Sequence, residues 1–150
     1  MTEDRSSPGG EHNFGALLRR RAAESPAKPV YTFLRDGVDD AHSISYRDLH
    51  DSVCALAARL SELPRPARAL LLYPHGPEFV RAFWACLLAG VVPVPCYPPR
   101  NMRAVERLLA IAQDARASVV LTDEMIRSRA GDGLATIAPC LVTDEIASGG

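Results

Sequence analysis

The chain has 150 residues, of which 47% are hydrophobic and 23% charged, and its formal net charge is −1. That is about one domain's worth of chain, apolar enough to bury a core and too apolar for wholesale disorder. The charge balance lacks the basic excess of a nucleic-acid surface.

Residues 1–12 are polar, with acids at Glu3, Asp4 and Glu11 and no apolar run, and read as a disordered leader rather than a signal peptide. Phe14, Leu17, Leu18 and Arg21 start a helical pattern that stops before Pro26. Val30–Leu34 is rich in strand formers, and Arg35-Asp36-Gly37 is a turn signal. A short strand at His42–Ile44 would pair back as a hairpin. Ser45 is an N-cap candidate with Asp48 three residues on, the spacing of a capping box. Tyr46, Leu49, Val53, Leu56, Ala57 and Leu60 then share one helical face, and the helix ends before Pro64.

Ala69–Tyr73 is an apolar run without alternation, as a strand covered on both faces requires. Pro74-His75-Gly76 is the turn after it, and Pro77 fits the first helical position, where a missing N–H costs nothing. Phe79–Ala89 is apolar nearly all round, predicting a deeply buried helix, with Gly90 as its left-handed C-terminal cap. Val91, Val92 and Val94 predict another buried strand, cut short by Pro93 and Pro95. Tyr97-Pro98-Pro99-Arg100 is a stiff exit loop. A helix with Val105, Leu108, Leu109 and Ala112 inward, a strand at Ser118–Thr122, a short helix at Asp123–Arg129, a turn at Gly131-Asp132-Gly133 and a last strand at Cys140–Val142 complete the order. Strands alternating with helices predict an α/β layer with a mostly parallel sheet and right-handed crossovers.

The longest uncharged apolar run, Ala82–Cys96, is broken by Gly90, Pro93 and Pro95 and falls short of the ~20 residues that span a bilayer. No membrane span is expected. Cys54, Cys86, Cys96 and Cys140 form no C-x-x-C pair and show no histidine at ligand spacing, so buried free thiols are expected rather than a zinc site, with the cytoplasm as the default compartment. No phosphate-binding glycine loop, dinucleotide fingerprint, metalloprotease pair or nucleophile elbow is present, and all basic residues but Lys28 are arginine. His42 and His50 are expected at the surface. One spot fits a general rule: ligands of open parallel sheets gather beyond the carboxyl ends of the strands, where Tyr73–Pro77 leads into a helix N-terminus. The segment reads either as an anion-receiving turn or as a tight turn that packs helix on sheet. The lack of a lysine or glycine-rich cradle favours the second.

Leu70–Pro95, a strand, a turn, a helix ending in Ala89-Gly90-Val91 and a strand ending at proline, resembles the first shared block of the adenylate-forming enzymes, which comprise acyl-CoA synthetases, luciferases and nonribosomal adenylation domains. Ile44-Ser45-Tyr46-Arg47-Asp48-Leu49 resembles that superfamily's helix start. Pro95–Arg100, Arg107–Ala115 and Val120–Thr122 resemble the fatty acyl-AMP ligase branch, with Cys96 standing where a small alanine is more usual. The likeness runs from about Phe14 to Thr143.

The resemblance implies that residues 13–150 form the N-terminal part of an AMP-binding (adenylation) domain, a partial subdomain of α/β class. It implies an enzyme that uses ATP and Mg²⁺ to turn a fatty acid into an acyl-adenylate and passes it to an acyl carrier protein. The family's phosphate loop, magnesium-orienting acid, ribose aspartate and catalytic lysine have no counterpart here. No catalytic, cofactor-binding or metal residue is therefore assigned, and the segment is expected to be structural and inactive alone, completed by the remainder of the adenylation domain. The alternative is a truncated, non-catalytic interaction module derived from such an enzyme. A complete small nucleotide binder is disfavoured by the missing phosphate loop.

Overall fold

In a computed structural model, residues 13–34, 37 and 41–147 are described. The expected leader at 1–12 and the turn residues Arg35 and Asp36 lie outside them. Helix α1 (Phe14–Glu24) opens on Asn13, whose side chain accepts from the Ala16 N–H at 2.8 Å. Strands β1 (Pro29–Leu34) and β2 (Ala41–Ser45) pair antiparallel, with Tyr31 opposite Ile44 and Leu34 opposite Ala41. Helix α2 (Tyr46–Ser61) starts on a complete capping box. The Asp48 N–H donates to Ser45 Oγ at 3.2 Å, and the Asp48 carboxylate accepts from the Ser45 hydroxyl at 2.6 Å and from its N–H at 3.3 Å. The anticipated face is the buried one: Leu49, Val53, Leu56, Ala57 and Leu60 are inside, with Tyr46 half-buried.

The main sheet has four parallel strands: β3 (Arg68–Leu72), β4 (Val92–Cys96), β5 (Val119–Thr122) and β6 (Cys140–Val142), in the order β4-β3-β5-β6. Helix α3 (Pro77–Ala89) connects β3 to β4, and α4 (Met102–Ala115) carries the chain back across to β5. Helix α5 (Glu124–Ala130), a 3-10 turn at Gly131–Gly133 and a short helix α6 (Asp144–Ala147), which the sequence reading lacks, complete the described residues. Alternate residues of the central strands feed two cores. Ala69, Leu71, Val119 and Leu121 pack with α2 and α3, whereas Leu70, Leu72 and Val120 pack with α4. The sheet is thus covered on both sides, and its central strands carry continuous apolar runs for that reason. Each fully buried leucine there is worth roughly 1.5–3 kcal/mol.

Three burial expectations are corrected. Strand β4 is an edge strand and not a buried one: Val92 is 53% exposed, and among the described residues only one side of the strand is paired. Its Val92 N–H donates to Ala67 O at 3.0 Å, so by strand alternation Val94 and Cys96 also face β3, and Pro93 and Pro95 fall on the outer edge. Helix α3 buries only Ala82, Ala85 and Cys86 fully and leaves Leu87 and Leu88 exposed, because one of its flanks has no layer over it among the described residues. Of the four free thiols only Cys86 is buried, and Cys54, Cys96 and Cys140 are half-buried.

Helices α3 and α4 end alike. Gly90 has φ 66° and ψ 30°, with Val91 N–H donating to Cys86 O at 2.9 Å and Gly90 N–H to Leu87 O at 3.3 Å. Arg116, at φ 50° and ψ 53°, repeats the motif: Ala117 N–H reaches Ala112 O at 2.9 Å, and Arg116 N–H reaches Gln113 O at 3.1 Å. Both are Schellman endings, glycine filling the left-handed position in one and arginine in the other. The end of α3 is also clasped from outside, since the Arg65 guanidinium donates to Gly90 O at 2.8 Å and Ala89 O at 2.5 Å.

Candidate functional site: a groove at the carboxyl ends of the strands

The strand order places β4 and β5 on opposite sides of β3, although they follow it consecutively in the chain. A doubly wound sheet opens a crevice at such a reversal, beyond the carboxyl ends of the strands. A groove of about 920 Å³ occupies that place. Its walls come from the segments that leave each strand: Tyr73, Pro74 and His75 after β3, Cys96 through Arg100 after β4, and Ile126 and Arg129 from α5 after β5. The sequence-predicted turn at Tyr73–Pro77 therefore lines a cavity as well as packing a helix. The exit loop Tyr97–Arg100 forms its opposite side.

The floor is apolar and fixed. Tyr73 is buried, and its hydroxyl is turned into a short chain of hydrogen bonds. The phenol lies 2.8 Å from Thr143 Oγ1, and that hydroxyl donates to Thr122 O at 3.3 Å, so the phenol is the donor to Thr143. Thr122 Oγ1 in turn donates to Leu72 O at 2.9 Å. Burial pushes the Tyr73 phenol far above the ordinary tyrosine range, so it stays protonated and carries no acid–base chemistry near neutrality. Asp123 is committed as well: buried, it caps α5 by accepting from the Ile126 N–H at 2.7 Å.

The rim is basic. His75, Arg100 and Arg129 line it, and no aspartate, glutamate or lysine does among the described residues. Helix α3 begins beside it at Gly76 with no side-chain cap. Cys96 borders the groove, its thiol pushed up by burial and drawn down less strongly by Arg107. An apolar floor under a cationic rim can bind an amphipathic anion, but the lining holds no paired acid and base to carry out a reaction.

No cluster of three or more His, Cys, Asp or Glu could hold a metal ion among the described residues, and the single lysine, Lys28, lies just ahead of β1, away from the groove. Among the described residues, no helix is long and apolar enough to cross a membrane.

Outside the groove, the structure brings together a pair that the sequence reading missed. His50 and Cys54 lie four residues apart on α2, and Cys54 Sγ is 3.5 Å from His50 Nε2. The i, i+4 spacing on an established helix was the available signal. His50 is half-buried rather than exposed, while His42 is exposed as expected.

The family described as AMP-binding enzyme matches residues 18–148. The chain is 45% identical over 111 residues to the medium-chain-fatty-acid acyl-carrier-protein ligase JamA of Moorena producens, covering 71% of this chain and 19% of that protein. It is 31% identical over 127 residues to the long-chain-fatty-acid AMP ligase FadD26 of Mycobacterium tuberculosis, covering 82% of this chain and 21% of that protein. Among solved structures, the fatty acid AMP ligase of Legionella pneumophila superimposes with a TM-score of 0.76 at 24% identity, over 89% of this chain and 23% of that one. The chain thus spans about one fifth of the length of these curated relatives.

Proposed function

We propose that this chain, which belongs to the AMP-binding enzyme family, is the opening part of the large N-terminal domain of a fatty acyl-AMP ligase. The whole enzyme activates a fatty acid with ATP and Mg²⁺, forms the acyl-adenylate with release of pyrophosphate, and transfers the acyl group to the thiol of an acyl carrier protein in the cytoplasm. Residues 13–150 supply scaffold: the parallel sheet, its two helical layers and one wall of the groove beyond the strands. The remainder of the adenylation domain supplies the phosphate, magnesium and ribose contacts, a division supported by the lack, among the described residues, of a His/Cys/Asp/Glu cluster that could hold a metal ion.

The observation that carries this reading is the 111-residue stretch of close identity with a fatty-acid acyl-carrier-protein ligase. The lining of the groove supports the scaffold role. Acyl-adenylate formation needs positioned donors and a cation at the transferring phosphate, and this wall offers an imidazole, two guanidinium groups and apolar surface.

Fatty-acid-dependent ATP–pyrophosphate exchange tests it. The longer protein that contains this segment is expected to exchange label only when a fatty acid is added, and residues 1–150 alone are expected to match a blank without protein. Exchange by the isolated segment would overturn the scaffold role. A longer protein that exchanges with amino acids or aryl acids and not with fatty acids would overturn the substrate class.

A further inference from the structure

On helix α2 a thiol, an imidazole and a carboxylate are joined in one chain of contacts. Cys54 Sγ lies 3.5 Å from His50 Nε2, and His50 Nδ1 lies 3.1 Å from Asp51 Oδ1. A carboxylate can only accept, so Nδ1 carries the ring proton and donates to Asp51. That leaves Nε2 as an acceptor, and the thiol is the donor to it. The order is nucleophile, base and orienting carboxylate, the arrangement that activates cysteines by general-base assistance. Cys54 is half-buried, so its thiol is partly accessible, beside a His50 side chain that is 28% exposed and an Asp51 side chain that is 69% exposed. None of the other thiols has this company. Cys86 is buried, and no histidine hydrogen-bonds to Cys86, Cys96 or Cys140 among the described residues.

We propose that Cys54 is a modification site, a base-assisted thiol that forms mixed disulfides with small disulfides such as glutathione disulfide. Cys54 Sγ gives its proton to His50 Nε2 and attacks one sulfur of the incoming disulfide. The new S–S bond forms as the old one breaks, and the departing thiolate takes the proton back from the imidazolium. Cys54 is oxidised to the mixed disulfide, and half of the small disulfide is reduced to a thiol. Asp51 stabilises the transient imidazolium. Burial and the neighbouring Asp51 charge both push the Cys54 thiol up, so little thiolate pre-exists and the step depends on the base. The adduct stands on the flank of α2, outside the groove beyond the strands.

The test is peptide mapping of the full chain by mass spectrometry after timed exposure to glutathione disulfide, repeated for His50→Gln and Asp51→Asn. Cys54 is expected to be modified first in the unaltered chain, about a hundredfold faster than Cys96 or Cys140, the low end of what a positioned base contributes. His50→Gln should bring Cys54 down to the rate of those two while leaving their rates and the thermal midpoint unchanged. Asp51→Asn should fall between. Equal rates at Cys54, Cys96 and Cys140 in the unaltered chain would overturn the proposal whatever the variants do. So would an unchanged Cys54 rate in a folded His50→Gln chain.

Discussion

Replacing Gly90 with valine isolates the cost of one backbone conformation. Gly90 sits at φ 66°, and a Cβ built there would meet only the Arg65 guanidinium, at 4.0 Å. Space is therefore available, and the penalty is conformational. The left-handed region costs an L-residue about 1–2 kcal/mol, with β-branched residues at the upper end. The stiffer unfolded chain works in the opposite direction by roughly 0.4–1 kcal/mol, because a residue with less freedom to lose favours the folded state, and so offsets part of that penalty. The net expectation for Gly90→Val is a loss of about 1 kcal/mol or more, and Gly90→Asn should cost less, since asparagine tolerates this region. Arg116 provides the reverse experiment in the same molecule. Its φ is 50° at the matching position of α4, so Arg116→Gly releases the strain and should be neutral to stabilising by roughly 0.5 kcal/mol. Urea unfolding followed by Trp84 fluorescence reads both. The chain has one tryptophan, held by a hydrogen bond from Nε1 to the Tyr31 hydroxyl at 3.1 Å and by edge-on contact with Phe14. With a urea slope of about 2 kcal/mol/M, Gly90→Val should lower the midpoint by about 0.5 M or more. An unchanged midpoint, or an Arg116→Gly chain that loses as much as Gly90→Val, would refute the argument that these helix ends are decided by φ.

Arg65→Ala removes the clasp on Ala89 O and Gly90 O and should cost about 1 kcal/mol at this exposed site, and Arg65→Lys should recover only part of it because an ammonium cannot fork across two carbonyls; the same urea series measures both. Ser45→Ala breaks the capping box and should cost about 1 kcal/mol at neutral pH. The hydrogen bonds from Ser45 hold the Asp48 carboxyl below its ordinary value, so their stabilisation is present above the unfolded carboxyl range near pH 4 and is lost as pH falls through the lowered folded value. Acid titration of the unfolding midpoint should therefore show a smaller fall between neutrality and about pH 3 in Ser45→Ala than in the unaltered chain, and equal falls would remove Asp48 from the account. Residues 1–150 alone leave Phe14, Leu17 and Leu88 exposed on α1 and α3, and Tyr97 and Met102 exposed past β4. Self-association and hydrophobic-dye binding at micromolar concentration are expected by light scattering after gel filtration, and a sharp monomer that binds no dye would count against the need for a covering partner.

Local chemistry was legible wherever one residue decides one conformation. Ser45 and Asp48 announced their capping box, Gly90 its left-handed helix end, Pro77 a first helical position, and Leu70–Leu72 a strand covered on both sides. What stayed hidden depends on position in the assembled sheet. Val92 and Val94 look as apolar as Leu70 and Leu71, and nothing in a valine reveals that its strand has a neighbour on one side only. Helix α3 has the composition of a buried helix, but exposure of Leu87 and Leu88 is a property of what stands over them. The turn at Tyr73–Pro77 was placed correctly from the rule for parallel sheets. Its far wall, Ile126 and Arg129, lies about fifty residues on in the sequence and comes near only because β5 crosses to the other side of β3. The His50–Cys54 contact needed no tertiary information at all, since both residues sit on one helix at the spacing of neighbouring turns.

The outer edge of β4 bears on the order in which the sheet is built. In chain order β3 and β4 precede β5, and a β3–β4 pair has two free sides. The next strand, β5, follows β4 and has a simple path to its exposed flank, which would give a different sheet. Pro93 and Pro95 lie on that flank and offer carbonyls with no N–H between them, so a ladder started there lacks donors where it needs them. The flank of β3 has a full set, and β5 takes it, with β6 adding on the same side. The two prolines thus make the outer flank of β4 a poor docking edge, which leaves β5 and β6 to the flank of β3 and sets the reversal at which the groove opens.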